Sequence, residues 1–302
     1  MQINQNFVDE IKGFLPIERF LINEPMKKHT TFKIGGPADY LLFPSSMEEV
    51  THIFNLLHQY GIPFTILGNG SSVLVLDKGI RGAVVKFNSP MSVIHQRGNT
   101  IIAGAGAMLK DVSQFAADCG LTGLEFAIGI PGSIGGAVFM NAGAYDGEMK
   151  PVVSKVQAVA ASGRVVAYAQ EELEFGYRHS VFQDNGQAIC EVTVSLQPGD
   201  PSLIQKKMDG FTERRERKQP LEMPSAGSTF KRPEGYFAGT LIEQTGLKGF
   251  SVGGAQISAK HAGFVVNSGE ATAADVLNLI KEVQRQVYAK NGVKLFPEVR
   301  IL

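Results

Sequence analysis

The chain has 302 residues, 44% of them apolar and 19% charged, with 29 basic and 29 acidic side chains. That length allows two domains of ordinary size, and the composition is that of a globular protein. Zero net charge excludes the broadly basic surface of a nucleic-acid binder and the acidic tail of a disordered chain, so any anion site must be a local cluster.

The first residues, MQINQNFVDEIKGFL, place Asp9 and Glu10 where a signal peptide needs an apolar run, so export is not expected. The segment SSMEEVTHIFNLLHQYG carries a capping-box pair, Ser46 and Glu49, and stops at Gly61, which predicts a helix. PFTIL then reads as a strand. It runs into LGNGSSVLVLD (67–77), whose successive backbone N–H groups can form a nest for a phosphate. A tight turn explains the same residues equally well, and the Gly-Lys-Ser/Thr of a P-loop is missing.

Strands GAVVKF and TIIAGAG follow. AGAGAMLKD (103–111) begins like a dinucleotide fingerprint, but Leu109 occupies the third glycine position, so it reads as a close strand-to-helix turn. MLKDVSQFAADCG has helical periodicity up to Gly120.

The longest uncharged stretch, FAIGIPGSIGGAVFMNAGAY (126–145), is long enough to cross a bilayer. Its five glycines, Pro131 and Asn141 argue instead for a buried, turn-rich segment, either a core turn or a surface for an extended ligand. VSKVQAVA and RVVAYA read as a hairpin around ASGR (161–164), and AICEVTVSL as a further strand. Between them FGYRHSVF sets Tyr177 and Arg178 among apolar residues. A partly buried guanidinium needs an anionic partner, from the protein or from a ligand.

QPGDPS (197–202) is the best domain boundary. A charged helix follows, IQKKMDGFTERRERK, then the loop PSAGSTFKRP with Ser228 between Gly227 and Thr229 and two cations after it. Gly227 allows close approach or a positive φ. Ser228 reads as a nucleophile, a proton donor or a turn residue, and no nucleophile elbow surrounds it. A helix over 272–290 starts at Thr272 with Asp275 three residues on, and KLFPEVRIL closes the chain as a strand. Glu298 and Arg300, two apart, share one face of that strand. The pattern is α+β, without the regular alternation of a doubly wound sheet. Cys119 and Cys190 lack metal spacing and fit a reduced cytoplasmic compartment, and the histidines show no metal pattern, so no metal is expected.

Taken together, TTFKIGGPADYLLFP, LGNGSSVLVLD, GIPGSIGGAVFMNAGAYDGE, FGYRHSVF, PSAGSTFKRP, AGTLIEQTGLKGFSVGGAQIS, KHAGFVVN and FPEVR resemble, in this order, the UDP-N-acetylenolpyruvoylglucosamine reductases. The resemblance runs from about residue 30 to 300. It implies a vanillyl-alcohol-oxidase (PCMH)-type FAD-binding fold of two α+β subdomains plus a C-terminal α+β substrate domain. The implied domains are 1–200 for FAD, joined by the last strand 293–302, and 201–292 for substrate.

It further implies non-covalent FAD held by Gly68, Asn69, Gly70, Ser71, Ser72, Pro131, Gly132, Ser133 and Gly136. NADPH would be the co-substrate. Arg178, Ser228 and Glu298 would be catalytic, with Ser228 the proton donor, and Tyr177, Lys218 and Lys231 would bind substrate. Some relatives have Lys-Asn-Pro where this chain has Lys231, Arg232 and Pro233. Only 19 residues separate Arg178 from Pro198, which fits the compact form of the family. The expected substrate is a UDP-sugar enolpyruvyl ether, with no nucleic acid, membrane or obligate protein partner. The rival readings are another flavin enzyme of the same fold and a nucleotide-binding module without catalysis.

Overall fold

A computed structural model describes residues 3–302. The chain divides into two compact units. The first comprises the chain up to Ile22, Asp39–Asn69 and Arg81–Arg214; the second comprises Asn23–Ala38, Gly70–Ile80 and Arg215–Leu302. The sequence had suggested a break between 200 and 201 with 293–302 returning to the larger part. The units instead divide within one long helix at 214/215, and the last strand groups with the second unit.

The helices are α1 (Gln5–Lys12), α2 (Met47–Gln59), α3 (Leu109–Asp118), α4 (Ile134–Phe139), α5 (Phe182–Asn185), α6 (Pro201–Lys218), α7 (Ala238–Gln244) and α8 (Ala273–Asn291). In the first unit α1, which the sequence reading passed over, buries Phe7, Val8 and Ile11, the one-sided spacing of an amphipathic helix. α2 starts where Ser46 Oγ accepts from Glu49 N at 3.2 Å. The expected return bond of the capping box is replaced. Glu49 accepts from Ser45 N at 2.7 Å and pairs with Arg19 at 2.6 Å, and Arg19 holds its carboxyl below the usual range although burial works the other way.

Two sheets form this unit. A four-stranded sheet runs in the order Phe20–Pro25, Pro37–Leu42, Ile80–Lys86, Phe64–Leu67, with the last two strands parallel. A five-stranded sheet runs Val165–Ala169, Val153–Val159, Ala188–Ser195, Thr100–Gly104, Ile94–Arg97, antiparallel throughout. One core joins them, with Tyr40, Phe54 and Val85 from the first layer and Ile101, Val156 and Val192 from the second. The 126–145 stretch folds as turns, the short helix α4 and a small hairpin, Gly143–Ala144 with Gly147–Glu148. Among the described residues no helix is long and apolar enough to cross a membrane.

The second unit packs the inner face of α8 (Val276, Leu279, Ile280, Val283, Val287) on a four-stranded antiparallel sheet. Its strand order is Ser225–Ser228, Phe264–Asn267, Ala255–Ile257, Ser251–Val252. The predicted start of α8 is present in full, with Thr272 and Asp275 capping each other. A remote residue adds to it. Both carboxylate oxygens of Asp77 accept from the first turn, from Ala273 N at 2.8 Å and Ala274 N at 3.0 Å. A negative charge there satisfies two orphan donors and complements the helix dipole. Asp77→Ala is therefore expected to lower unfolding stability by about 1–2 kcal/mol, with Asp77→Asn in between, measured by denaturant titration. Equal stability of all three proteins would show that this cap contributes nothing.

Candidate active site

In the first unit two glycine-rich loops meet. The strand Phe64–Leu67 ends at Gly68, and a side chain at Gly68 would collide with Ser133 Oγ, so glycine lets that hydroxyl sit against the first loop. Beside it Asn69 Nδ2 donates to Pro131 O at 2.5 Å. The second loop is held from behind by the AGAGA turn, which donates nothing to it but accepts twice: Ile134 N bonds Ala107 O at 2.8 Å, and Gly135 N bonds Ala105 O at 3.0 Å. In return Leu109 N donates to Gly132 O at 2.9 Å. Ser133 Oγ accepts from Gly136 N at 3.3 Å. Among the described residues nothing accepts from the backbone N–H groups of Gly68, Asn69, Gly132 or Ser133. These amides are positioned and unspent.

The same unit carries the Arg178 turn. Gly176 and His179 exchange backbone hydrogen bonds at 3.1 and 3.2 Å, leaving Tyr177 and Arg178 at the tip. Arg178 has φ +54°, a left-handed conformation that costs a non-glycine residue about 1 kcal/mol or more. Surrounding polar groups hold it there. Gln183 Nε2 donates to Arg178 O at 2.9 Å, and the buried Asn141 donates to Gly176 O at 3.0 Å and to Glu148 at 3.1 Å. The half-buried guanidinium lies 5.3 Å from the exposed Tyr177 ring and 3.4 Å from Gly143 O.

In the second unit the LGNGSS loop continues through Gly70, Ser71 and Ser72, whose N–H groups also have no acceptor among the described residues. Gly70 O accepts from Thr31 N at 3.1 Å, and Thr31 Oγ1 donates to Ser225 O at 2.7 Å. The strand Ser225–Ser228 pairs with Phe264–Asn267 through a bulge, with Gly227 at φ +75°. That conformation is the positive φ the sequence reading had allowed for. Ser228 emerges from the bulge exposed, opposite Phe264, and its hydroxyl makes no hydrogen bond among the described residues. The next residues pair with the C-terminal segment. Glu298 N donates to Thr229 O and Lys231 N to Phe296 O, each at 2.8 Å, around the bridge Phe230–Pro297. The backbone thus brings Ser228, Lys231 and the half-buried Glu298 into one neighbourhood.

Lys218, exposed at the end of α6, acts with Lys248 on His261, whose pKa is lowered chiefly by burial. His261 Nδ1 accepts from Gly263 N at 3.1 Å, and its ring meets Phe264 edge-on at 5.0 Å. No spacing pattern in the sequence marks this histidine, because its burial is a tertiary fact. Arg232 stacks on the exposed Phe237 ring at 4.0 Å. Among the described residues no cluster of histidine, cysteine and acidic side chains could hold a metal ion.

These features define a class before a family. Residues 38–168 match the family described as FAD binding domain. The solved alkyldihydroxyacetonephosphate synthase covers 65% of this chain and is covered over 41% of its own, at 16% identity and a TM-score of 0.52, a likeness of fold alone. The molecule is a flavoprotein oxidoreductase of the vanillyl-alcohol-oxidase-type α+β fold. Residues 219–302 match the family described as UDP-N-acetylenolpyruvoylglucosamine reductase, C-terminal domain.

The UDP-N-acetylenolpyruvoylglucosamine reductase of Caldanaerobacter subterraneus subsp. tengcongensis is 50% identical, with 98% of this chain and 97% of that one covered. The one from Clostridium perfringens is 52% identical over 94% and 93%. The crystal structure of the Thermus caldophilus reductase shares 36% identity over 93% and 97%, with a TM-score of 0.81. The chain belongs to the UDP-N-acetylenolpyruvoylglucosamine reductase family.

The donor set fits FAD. Unspent amides in the two loops suit the oxygens of a pyrophosphate, and glycine at 68 brings those loops together. Gly68→Ala must turn the Ser133 hydroxyl away, breaking its bond from Gly136 N, and set a methyl group among the unspent amides. The purified variant is expected to carry at most about a tenth of the wild-type flavin, read from the ratio of flavin to protein absorbance, since loss of well-placed donors costs about 1–3 kcal/mol. Full flavin content in this variant would place the cofactor elsewhere.

Proposed function

We propose that the protein reduces UDP-N-acetylglucosamine enolpyruvate to UDP-N-acetylmuramate in the cytoplasm, a step of peptidoglycan precursor synthesis. FAD is held non-covalently by Gly68, Asn69, Gly70, Ser71, Ser72, Pro131, Gly132, Ser133 and Gly136. The observation that carries the reading is the pairing of 229–231 with 296–298, which sets Ser228, Lys231 and Glu298 together in a chain of this family. The first unit with its FAD loops serves the cofactor; the second mainly serves the UDP-sugar.

Bound FAD would supply the redox chemistry, a relay of hydride from NADPH to the β-carbon of the enol ether. Electron density then moves toward the substrate carboxylate. Arg178 offsets that charge with a guanidinium already fixed in its strained turn. Glu298 acts as an acidic hydrogen-bond donor to the same carboxylate. In comparable sites one such donor is worth about 3–4 kcal/mol of barrier. The Ser228 hydroxyl gives its proton to the α-carbon, and Lys231, three residues on, stabilises the alkoxide that develops. Tyr177 and Lys218 help to hold the substrate.

The direct test is anaerobic mixing of NADPH-reduced protein with the enol ether. Prompt reoxidation with formation of the muramate is expected; reduced flavin that persists until oxygen is admitted would favour an oxidase of the same fold. Acid precipitation should leave the yellow colour in the supernatant, since neither FAD loop holds a histidine or cysteine for a covalent link. Colour in the pellet would contradict non-covalent binding.

Ser228→Ala should separate the half-reactions. Its flavin is expected to bleach with NADPH at near the wild-type rate, and reoxidation by the enol ether to slow at least about 10²-fold. Glu298→Gln should show the same division, because an amide donates but supplies no acidic proton. Normal reoxidation in Ser228→Ala would return Ser228 to the role of a turn residue.

A further inference from the structure

The residue after Ser228 carries a buried hydroxyl that the reaction above does not use. Thr229 is 2% exposed, whereas Ser228 is exposed. Side chains alternate along an extended chain, so the one that points inward turns its neighbour outward. The backbone of Thr229 is bonded on both sides. Its N–H donates to Gly263 O at 2.9 Å, and its carbonyl accepts from Glu298 N at 2.8 Å. Gly263 is fastened in turn, its N–H donating to His261 Nδ1 at 3.1 Å.

The side chain adds a third bond of a different kind. Between the strands Ser225–Ser228 and Phe264–Asn267 the register slips by one. Ser225 faces Val266 and Ser228 faces Phe264, so Ala226 and Gly227 together face Val265. Val265 N, opposite this bulge, donates to Thr229 Oγ1 at 2.9 Å. The hydroxyl thus reaches back across the bulge and takes a backbone donor of the neighbouring strand. A bulge disrupts the ladder locally, and this one turns on Gly227 at φ +75°. A Cβ at Gly227 would meet only Ser71 O, at 3.9 Å, so little packing steadies the bulge at its glycine. The ladder with 296–298 begins at Thr229 and does not reach it.

We propose that Thr229 is the positioning residue of Ser228: its hydroxyl pins the bulge to Val265 and so fixes where the Ser228 hydroxyl points. The inference rests on the reading of Ser228 as proton donor. A hydroxyl that must meet one carbon of the substrate is sensitive to small displacements, since a misplacement of about 1 Å can cost about 10²-fold in rate. Thr229 acts only through its neighbour. Glu298 is bonded through the Thr229 carbonyl, which a change of side chain leaves in place.

The test follows the two half-reactions separately in the full-length holoprotein. Thr229→Val keeps the shape and removes the acceptor; Thr229→Ser keeps the acceptor. Both are expected to carry wild-type flavin and to bleach with NADPH within about twofold of the wild-type rate. At saturating UDP-N-acetylglucosamine enolpyruvate, reoxidation is expected to slow at least about tenfold in Thr229→Val and to stay within about threefold of wild type in Thr229→Ser. In a Ser228→Ala background, Thr229→Val should slow reoxidation by less than about twofold further, because residues that act as one unit are not additive.

Wild-type reoxidation in Thr229→Val overturns the proposal. So does equal slowing in Thr229→Val and Thr229→Ser, which would assign the effect to packing. A full further loss in the Ser228→Ala background, or bleaching slowed as much as reoxidation, would make Thr229 structural and overturn it too. Wild-type reoxidation in Ser228→Ala itself would sink the reading of Ser228, and the proposal with it. Should Thr229→Val not fold, Thr229→Ala carries the same comparison, since the space it opens admits a water to Val265 N without fixing the bulge.

Discussion

The second unit depends on one antiparallel and parallel stitching of the C-terminal segment. Lys231 N to Phe296 O and Glu298 N to Thr229 O tie it to the Ser228 strand. Arg300 N to Ser72 O, Leu302 N to Leu74 O and Leu76 N to Leu302 O, at 2.8–3.0 Å, tie the same segment to the end of the LGNGSS loop. Leu295 and Val299 meanwhile enter the core against α8. Seven residues therefore hold two loops that lie more than a hundred positions apart in sequence. The positions of Glu298, Ser228 and Ser72 are set by one backbone ladder, so they move together or not at all. A ladder is the economical device for this, because its hydrogen bonds fix register as well as distance.

That arrangement explains what the sequence made legible. Capping pairs and periodicity are local, and α2, α3, α8 and the long strands stand where the pattern placed them. The glycine stretches were also visible, but their meaning was not. LGNGSS allowed a tight turn or a phosphate nest, and only the third dimension shows Gly68 against Ser133 Oγ and four amides left unspent. The candidate site residues rest on resemblance, because nothing local relates Ser228 to Glu298; the pairing of 229–231 with 296–298 closes a loop of some seventy residues. The domain boundary misled for a related reason. QPGDPS looks like a linker, yet α6 begins inside it at Pro201, and the units divide within that helix. Proline at the first helical position starts a helix as readily as it breaks a strand.

Two features of single residues are not legible in the sequence, for physical reasons. Lys86 sits in GAVVKF, where a charged residue closing an apolar strand resembles an ordinary edge or end position. Its burial is a tertiary fact. Arg178 looked unusual only for its apolar neighbours, whereas its φ of +54° is the stronger signal. Glycine is the residue that such a turn would select for stability. Arginine there is a strained choice, and the Gln183 and Asn141 hydrogen bonds supply the support that keeps the turn closed.

The charge distribution follows from the chemistry. A cofactor that stays bound gains from neutral amides held in fixed loops, whose dipoles need no reorientation to meet it. A substrate that must enter and depart meets a different design. Lys218 and Lys231, the proposed substrate ligands, are exposed and therefore hydrated, which avoids a desolvation cost at each turnover. Zero net charge fits both demands. The whole surface need not be basic, because an anion can be met by a small local group of donors.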